Sequence, residues 1–197
     1  RRFKMPEPTK PEAKYHLGLK NVHYYPATWD EKLNKLTLGT GKPWRGAVSL
    51  SADVSGDSNS TYADDGTWAI IEAIQKEELE LEMFQIPEDF QTAHLGAKRD
   101  TDGNIVNGDS DKGSYFALAF EFDQDTQARR FLYFYCKAAM PSTSSETKKE
   151  SNEPKPIKIK IKAAGLPGIG RRKVSSVQTK PEVYEAWYTA PKVPTFA

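Results

Sequence analysis

Polar and apolar positions alternate along several stretches of the chain, and each of those stretches predicts a strand. Val48, Leu50, Ala52 and Val54 alternate with Ser49, Ser51, Asp53 and Ser55. That period of two predicts one buried and one polar face. Ile157, Ile159 and Ile161 alternate more cleanly still with Lys158, Lys160 and Lys162. Leu79, Leu81 and Met83 alternate with Glu78, Glu80 and Glu82; KEELELE is also good helix composition, but a strand over 78–86 is the preferred reading. YFALAFEF (115–122) and RFLYFYCKA (130–138) are apolar on both sides. Phe116, Leu118, Phe120 and Phe122 share one face, and Tyr115, Ala117 and Ala119 the other, as in central strands covered on both sides. YHLGLKNVHYY (15–25) predicts a first strand with Leu17, Leu19 and Val22 inward, ended by Pro26. A last strand is expected near 182–188.

The connections carry their own signals. The stretch 30–44 reads as a long turn or irregular hairpin, and GDSNSTYADDG (56–66) reads as a loop. Ile70, Ile71 and Ile74 within 68–77 would suit a helix. PEDFQTAHL (87–95) is the best helix of the chain. Pro87 fits the first position, Glu88 and Asp89 favour the positive helix start, and Gly96 is placed to end it. Residues 97–113 predict a polar loop or a small hairpin around Asp102-Gly103. The low-complexity run 141–156 reads as a mobile excursion. Residues 1–14, with three prolines and many charges, predict an extended N-terminal arm. One domain is expected over 15–190, followed by a proline-broken tail at 191–197. The result is a mainly β fold: an antiparallel β-sandwich or barrel of about seven strands with a flanking helix.

Composition narrows the function classes. In 197 residues, 28 Lys and Arg nearly balance 27 Asp and Glu, for a formal net charge of +1. General nucleic-acid binders carry a basic excess, so that class is disfavoured. The single cysteine, Cys136, excludes an internal disulfide framework and a cysteine zinc cage. No apolar run approaches the roughly 20 residues of a membrane-spanning helix, so a soluble protein is expected. Hydrophobic residues are only 38% and mean hydropathy is −0.68, a polar balance for a chain with a core to bury.

Candidate chemistry is thin. Asp100, Asp102 and Asn104 match the first ligands of a calcium loop, but Ile105 stands where glycine is needed and Asp111 where glutamate is needed. A solvated acidic turn is the better reading. GLPGIGRRK (165–173) has glycines at 165 and 170, yet Arg171-Arg172 replaces the Lys-Ser/Thr of a phosphate loop. It reads as an exposed turn, with the alternative that its basic side meets an acidic partner. His16, His23 and His94 show no ligand spacing, and His94 reads as a surface or interface group. Cys136 reads as a small hydrophobe. Asp64-Asp65 reads as a turn. No catalytic residue, metal site or cofactor is expected.

The order of several motifs brings a family into view. GLKNVHYY, SLSADVSG, YADDG, ELELEM and IPEDFQTAHLG follow one another, and two aromatic strands, a charged loop and the isoleucine strand come after them. This layout resembles the major tail protein of long-tailed, non-contractile phages (siphophages) from about Leu17 to Tyr188. The long arm, the stretch WAIIEAIQ and the GLPGIGRRK loop depart from it. The resemblance implies a tail-tube β-sandwich flanked by a helix, assembling into hexameric rings. These would stack into a tube around a tape-measure protein, between tail terminator and distal tail proteins. Such a protein is assembled in the bacterial cytoplasm and ends in the virion. DNA crosses the lumen during ejection without specific binding, and no membrane is involved.

On that reading, Ser49, Ser51, Asp53, Glu78, Glu80 and Glu82 are the expected lumen-lining residues, because a short or acidic wall repels DNA. Charge is segregated by strand: in KEELELE one lysine against four glutamates leaves −3, whereas KPIKIKIK carries +4. Lys158, Lys160 and Lys162 are expected to pair with glutamates of a neighbouring strand or subunit; an ordinary solvated face is the alternative. The strands 48–55 and 78–86 are placed to pair as a long hairpin through YADDG. Arg1, Arg2, Phe3, Lys42, Trp44, Lys148, Lys149 and Phe196 are candidate ring-stacking contacts. A second reading is a carbohydrate- or receptor-binding sandwich of a virion tip, exposing Trp29, Trp44 and Trp68 on loops. A hydrolase using Asp64 or Asp102 lacks a partner set.

Overall fold

A computed structural model describes residues 17–55, 58–63, 66–72, 76–123, 128–141, 155–176 and 179–194. The chain is mainly antiparallel β. Its elements in order are β1 (Leu17–Asp30), β2 (Lys35–Leu38), β3 (Lys42–Pro43), β4 (Ala47–Ser55), β5 (Ser58–Ala63), β6 (Gly66–Glu72) and β7 (Lys76–Met83). Next come α1 (Glu88–Phe90), continued by a wider π-helical turn over Gln91–Leu95, then β8 (Lys98–Arg99) and β9 (Ile105–Val106). β10 (Phe116–Asp123), β11 (Arg129–Ala138), β12 (Ile157–Ala164), β13 (Lys173–Ser175) and α2 (Pro181–Glu185) complete it. Nine strands form one sheet, ordered β2-β1-β10-β11-β12-β7-β4, with β13 paired to β11 and β3 to β1. Because β3 leads straight into β4, its pairing with β1 brings the two ends of this path together, and the sheet curls.

The β1, β10 and β11 part of the sheet is covered on both faces. Inside the curl lie Val22, Tyr24, Trp44, Leu79, Leu81, Met83, Phe116, Leu118, Phe120, Ile159 and Ile161, closed over by Phe90. On the other face Tyr25, Ala117, Ala119, Leu132 and Phe134 pack against Leu166 and Trp187. The aromatic strands are thus central and two-sided, as their sequence requires. In β1, a bulge between Lys20 and His23, with Asn21 at φ 51°, lets Leu19 and Val22 face the same side despite their odd spacing.

Five expectations are corrected. Pro26 does not end β1. It falls where the strand changes partner, from β10 to β2, so no ladder bond needs its missing N–H, and its carbonyl accepts from Gly39 at 2.8 Å. The 56–66 loop contains β5, and the helix suited to 68–77 is instead strand β6 as far as Glu72; the two pair antiparallel. The expected strand at 182–188 is helix α2 and a following turn. Pro181 opens it at a position where no N–H is needed, and Val183, Tyr184, Trp187 and Tyr188 have helical rather than strand spacing. Finally, β4 is a strand, but its apolar face is buried only in part: Ala47 and Leu50 pack half-buried against the core, whereas Val48 is 44% and Val54 55% exposed.

The 87–95 helix forms, and Gly96 ends it at φ +87°. A Cβ at Gly96 would lie 2.8 Å from the Lys112 backbone nitrogen, so both conformation and space demand glycine. The loop after it folds as a hairpin, β8 against β9. The Asp100 carboxylate accepts from the backbone N–H of Asp102 at 3.0 Å and of Asn104 at 2.7 Å, and from the Asn104 side chain at 2.9 Å. These carboxylate oxygens serve a turn.

His94 is a further correction: it is 1% exposed, not on the surface. Its spacing of four from Phe90 puts both on the inward helix face, among Tyr24 and Phe116. Nδ1 meets the Ser114 hydroxyl at 3.2 Å, while Nε2 has no hydrogen-bond partner among the described residues. Burial pushes the imidazole below its usual 6.5, partly opposed by the Ser114 carbonyl and assisted by Lys42, itself paired with Asp89. The unfolded chain therefore takes up this proton more readily than the folded one. Stability from this site is full above pH 6.5 and is lost as pH falls through the lowered value. Denaturant titrations of the wild type should show that decline below pH 6.5, and His94→Phe should flatten it; an unchanged slope would remove His94 as its cause.

Candidate assembly surface

Three neighbouring strands align their polar residues in register. On β7, Glu78, Glu80 and Glu82 stand between Asp53, Ser51 and Ser49 of β4 and Lys162, Lys160 and Lys158 of β12. The pleat sends the intervening Leu79, Leu81, Ile159 and Ile161 into the core, all fully buried. The two sequence patterns are therefore faces of one ladder. Glu82 accepts from the Ser49 hydroxyl at 2.7 Å. Lys158 sits 2.8 Å from Glu80 and 2.9 Å from Glu82, and Lys160 lies 3.9 Å from Glu78.

For Lys158 and Lys160 the expected lysine–glutamate pairing occurs within the chain; Lys162 stands opposite Glu78 in register without an ion pair among the described residues. Lys158 is held well above its ordinary value by the two carboxylates, and Glu82 below its own by Ser49 and Lys158. The lysines are exposed and the glutamates half-buried at the surface, and each such cross-strand pair contributes about 0.2–1 kcal/mol. Their larger effect is on surface potential. Three lysines stand beside three glutamates, so the face is a balanced mosaic rather than the acidic wall expected from β4 and β7 alone.

β4 closes the sheet path at one end and β2 at the other. Among the described residues β4 pairs in a ladder only with β7; β3 carries its start against β1, and beyond that start no ladder partner lies along its far side. Exposed long edges are templates for pairing with another chain. The exposed Val48 and Val54 add apolar surface to that edge.

A buried carboxylate escaped the sequence reading. Glu77 occupies the inward phase of β7, two residues before Leu79, and is 4% exposed. It accepts from the Tyr133 hydroxyl at 2.7 Å and the Lys173 ammonium at 2.5 Å, with Arg172 at 4.0 Å. Burial and this carboxylate push the Tyr133 hydroxyl far up, so it stays a donor. A glutamate in phase with Leu79, Leu81 and Met83 was the available signal.

The candidate stacking residues divide. Trp44 is corrected: it is 2% exposed, wedged against Phe90 with ring centres 4.2 Å apart, and its Nε1 donates to the Gln85 carbonyl at 3.2 Å. Lys42 is exposed and pairs with Asp89 at 2.6 Å. Arg1, Arg2, Phe3, Lys148, Lys149 and Phe196, like Asp64 and Asp65, lie outside the described residues, as does the Trp68 side chain. Of the tryptophans offered for carbohydrate contact, Trp29 is half-buried against the second core cluster. Among the described residues no group of three His, Cys, Asp or Glu side chains could hold a metal ion, and no helix is long and apolar enough to cross a membrane. No family model and no curated protein matches the chain.

Proposed function

We propose that this protein is the subunit of a self-assembling tube of the phage tail type, its β4–β7–β12 polar face lining the lumen. The observation that carries the reading is the edge strand β4, which packs only Ala47 and Leu50 against the core and leaves apolar Val48 and Val54 exposed. A ring needs two different edges that meet from one copy to the next. The two ends of this sheet path, β4 and β2, differ in that way. Edge pairing would extend the sheet around the ring and complete backbone hydrogen bonds that one copy leaves unmade.

The mosaic face suits a conduit. A wall of unpaired lysines would retain a polyanion through its phosphates. Here each lysine row is matched by a glutamate row, and passing DNA finds no net basic stripe. Tape-measure, terminator and distal tail proteins are the partners this role would bring.

The test is negative-stain microscopy of the concentrated chain, followed by a map of any assembly. Rings or tubes with Glu78, Glu80 and Glu82 facing the channel are the expected result. A persistent monomer, or glutamates on the outer wall, would overturn the proposal. Val54→Lys, a charge at the open edge, should suppress assembly while leaving the thermal midpoint nearly unchanged.

A further inference from the structure

We infer that a cationic cavity at the Lys76 end of the polar face receives aspartates of the 97–113 loop from a second copy, joining copies head to tail. The inference rests on the tube reading and assigns the contact between successive rings.

The cavity has a volume of about 500 Å³ and is lined by Lys76, Glu77, Glu78, Lys162, Gly170 and Arg172, among others. Glu77 is held by Tyr133 and Lys173, and Glu78 lies 3.9 Å from Lys160 and opposite Lys162 in register. Three cations, Lys76, Lys162 and Arg172, thus line the cavity beside two carboxylates, of which Glu77 is already compensated. Among the described residues neither Lys76 nor Lys162 has a carboxylate within ion-pair distance, and Arg172 reaches only 4.0 Å from an already satisfied Glu77. The glycine loop builds this wall. Leu166 N–H donates to the Arg171 carbonyl at 2.9 Å and Gly170 N–H to the Leu166 carbonyl at 2.8 Å. A Cβ at Gly165 would come within 2.9 Å of the Gly170 backbone, so the turn closes tightly beneath the arginine. The basic side of GLPGIGRRK therefore faces a cavity.

The acidic partner lies at the other end of the same strand. β7 has eight residues, which spans about 25 Å. Beyond its Met83 end come α1 and the 97–113 loop, tied to the helix by Ser114 N–H to the Ala93 carbonyl at 3.1 Å and by Arg99 to Glu88 at 2.8 Å. Asp100 serves its own turn, and Asp111 accepts from Gly108 N–H at 2.6 Å. Asp102 and Asp109 are exposed, and among the described residues their carboxylates have no hydrogen-bond or ion-pair partner. Among the described residues, the Lys76 end of β7 thus carries cations without an ion-pair partner, and the loop that follows its Met83 end carries carboxylates without one. That polarity is what open-ended head-to-tail stacking requires. Complementary charges of this kind fix register and partner choice.

The experiment compares assembly of wild type, Lys76→Glu/Lys162→Glu, Asp102→Lys/Asp109→Lys and the variant carrying all four changes. Sedimentation and microscopy give the concentration at which stacks form, and circular dichroism confirms folding of each variant. Either double variant should raise that concentration about tenfold or more, leaving single rings, and the four-fold variant should restore stacks. Added salt should weaken wild-type stacking. Wild-type tubes with both double variants stacking normally would overturn this contact and leave the tube reading standing. Failure of the wild type to assemble at all would overturn both.

Discussion

Phe90→Ala is expected to lower the free energy of unfolding by about 3–5 kcal/mol, the range for emptying a fully buried aromatic site. Phe90 is 0% exposed. Its ring centre lies 4.2 Å from that of Trp44, 5.0 Å from Phe116, and 5.1 Å from both Tyr24 and His94. Tyr24, Trp44 and Phe116 come from three separate parts of the chain, and Phe90 and His94 are what the short helical segment contributes to them. The edge-to-face contacts with Tyr24 and Phe116 add to simple burial. Phe90→Leu keeps most of the volume and should cost less than half as much. Urea denaturation with a common slope decides the matter. A loss under about 1 kcal/mol for the alanine variant would mean that the helix is not what closes the curled sheet.

The strands that could be read from the sequence were those whose two faces differ sharply. Ile157 to Lys162 and Leu79 to Glu82 alternate without exception, and both fold as strands with those faces in and out. The aromatic pair was readable for the opposite reason, since Phe116 and Ala117 are both buried by separate cores. Ser58–Ala63 carried no such signal. Its polar residues look like a loop, and its strand state depends on pairing with Gly66–Glu72. Trp44 sits in a stretch of glycine, lysine and proline, so its burial depends on a helix more than forty residues later in the chain. The same limit applied to the assembly surface. The charges of Glu78 to Glu82 and Lys158 to Lys162 were visible, but which strand lies beside which is set by long-range register. Only that register turns two charged stripes into one balanced face.

Arg130→Met should cost about 3–5 kcal/mol and loosen the C-terminal helix, because it leaves a buried carboxylate without its cation. Glu121 is 6% exposed, and its oxygens accept from Arg130 Nε at 2.9 Å, Asn21 Nδ2 at 2.6 Å and the Tyr188 hydroxyl at 3.2 Å. The guanidinium also lies 3.8 Å over the Tyr184 ring and donates to the Tyr184 carbonyl. One side chain therefore compensates a charge on β10 and holds α2 against the sheet. Tyr184 to the Ala128 carbonyl at 2.8 Å and Tyr25 to the Tyr188 carbonyl at 2.8 Å remain, so detachment should be partial. Trp187, 5% exposed beneath this helix, reports it as a red-shifted fluorescence. The decisive variant is Arg130→Met/Glu121→Leu. Removing both charges takes away the desolvation cost along with the attraction, so the double variant should recover most of the loss. If it is as unstable as Arg130→Met alone, the unpaired carboxylate is not the cause, and the cation's packing on Tyr184 and Tyr188 must account for the effect.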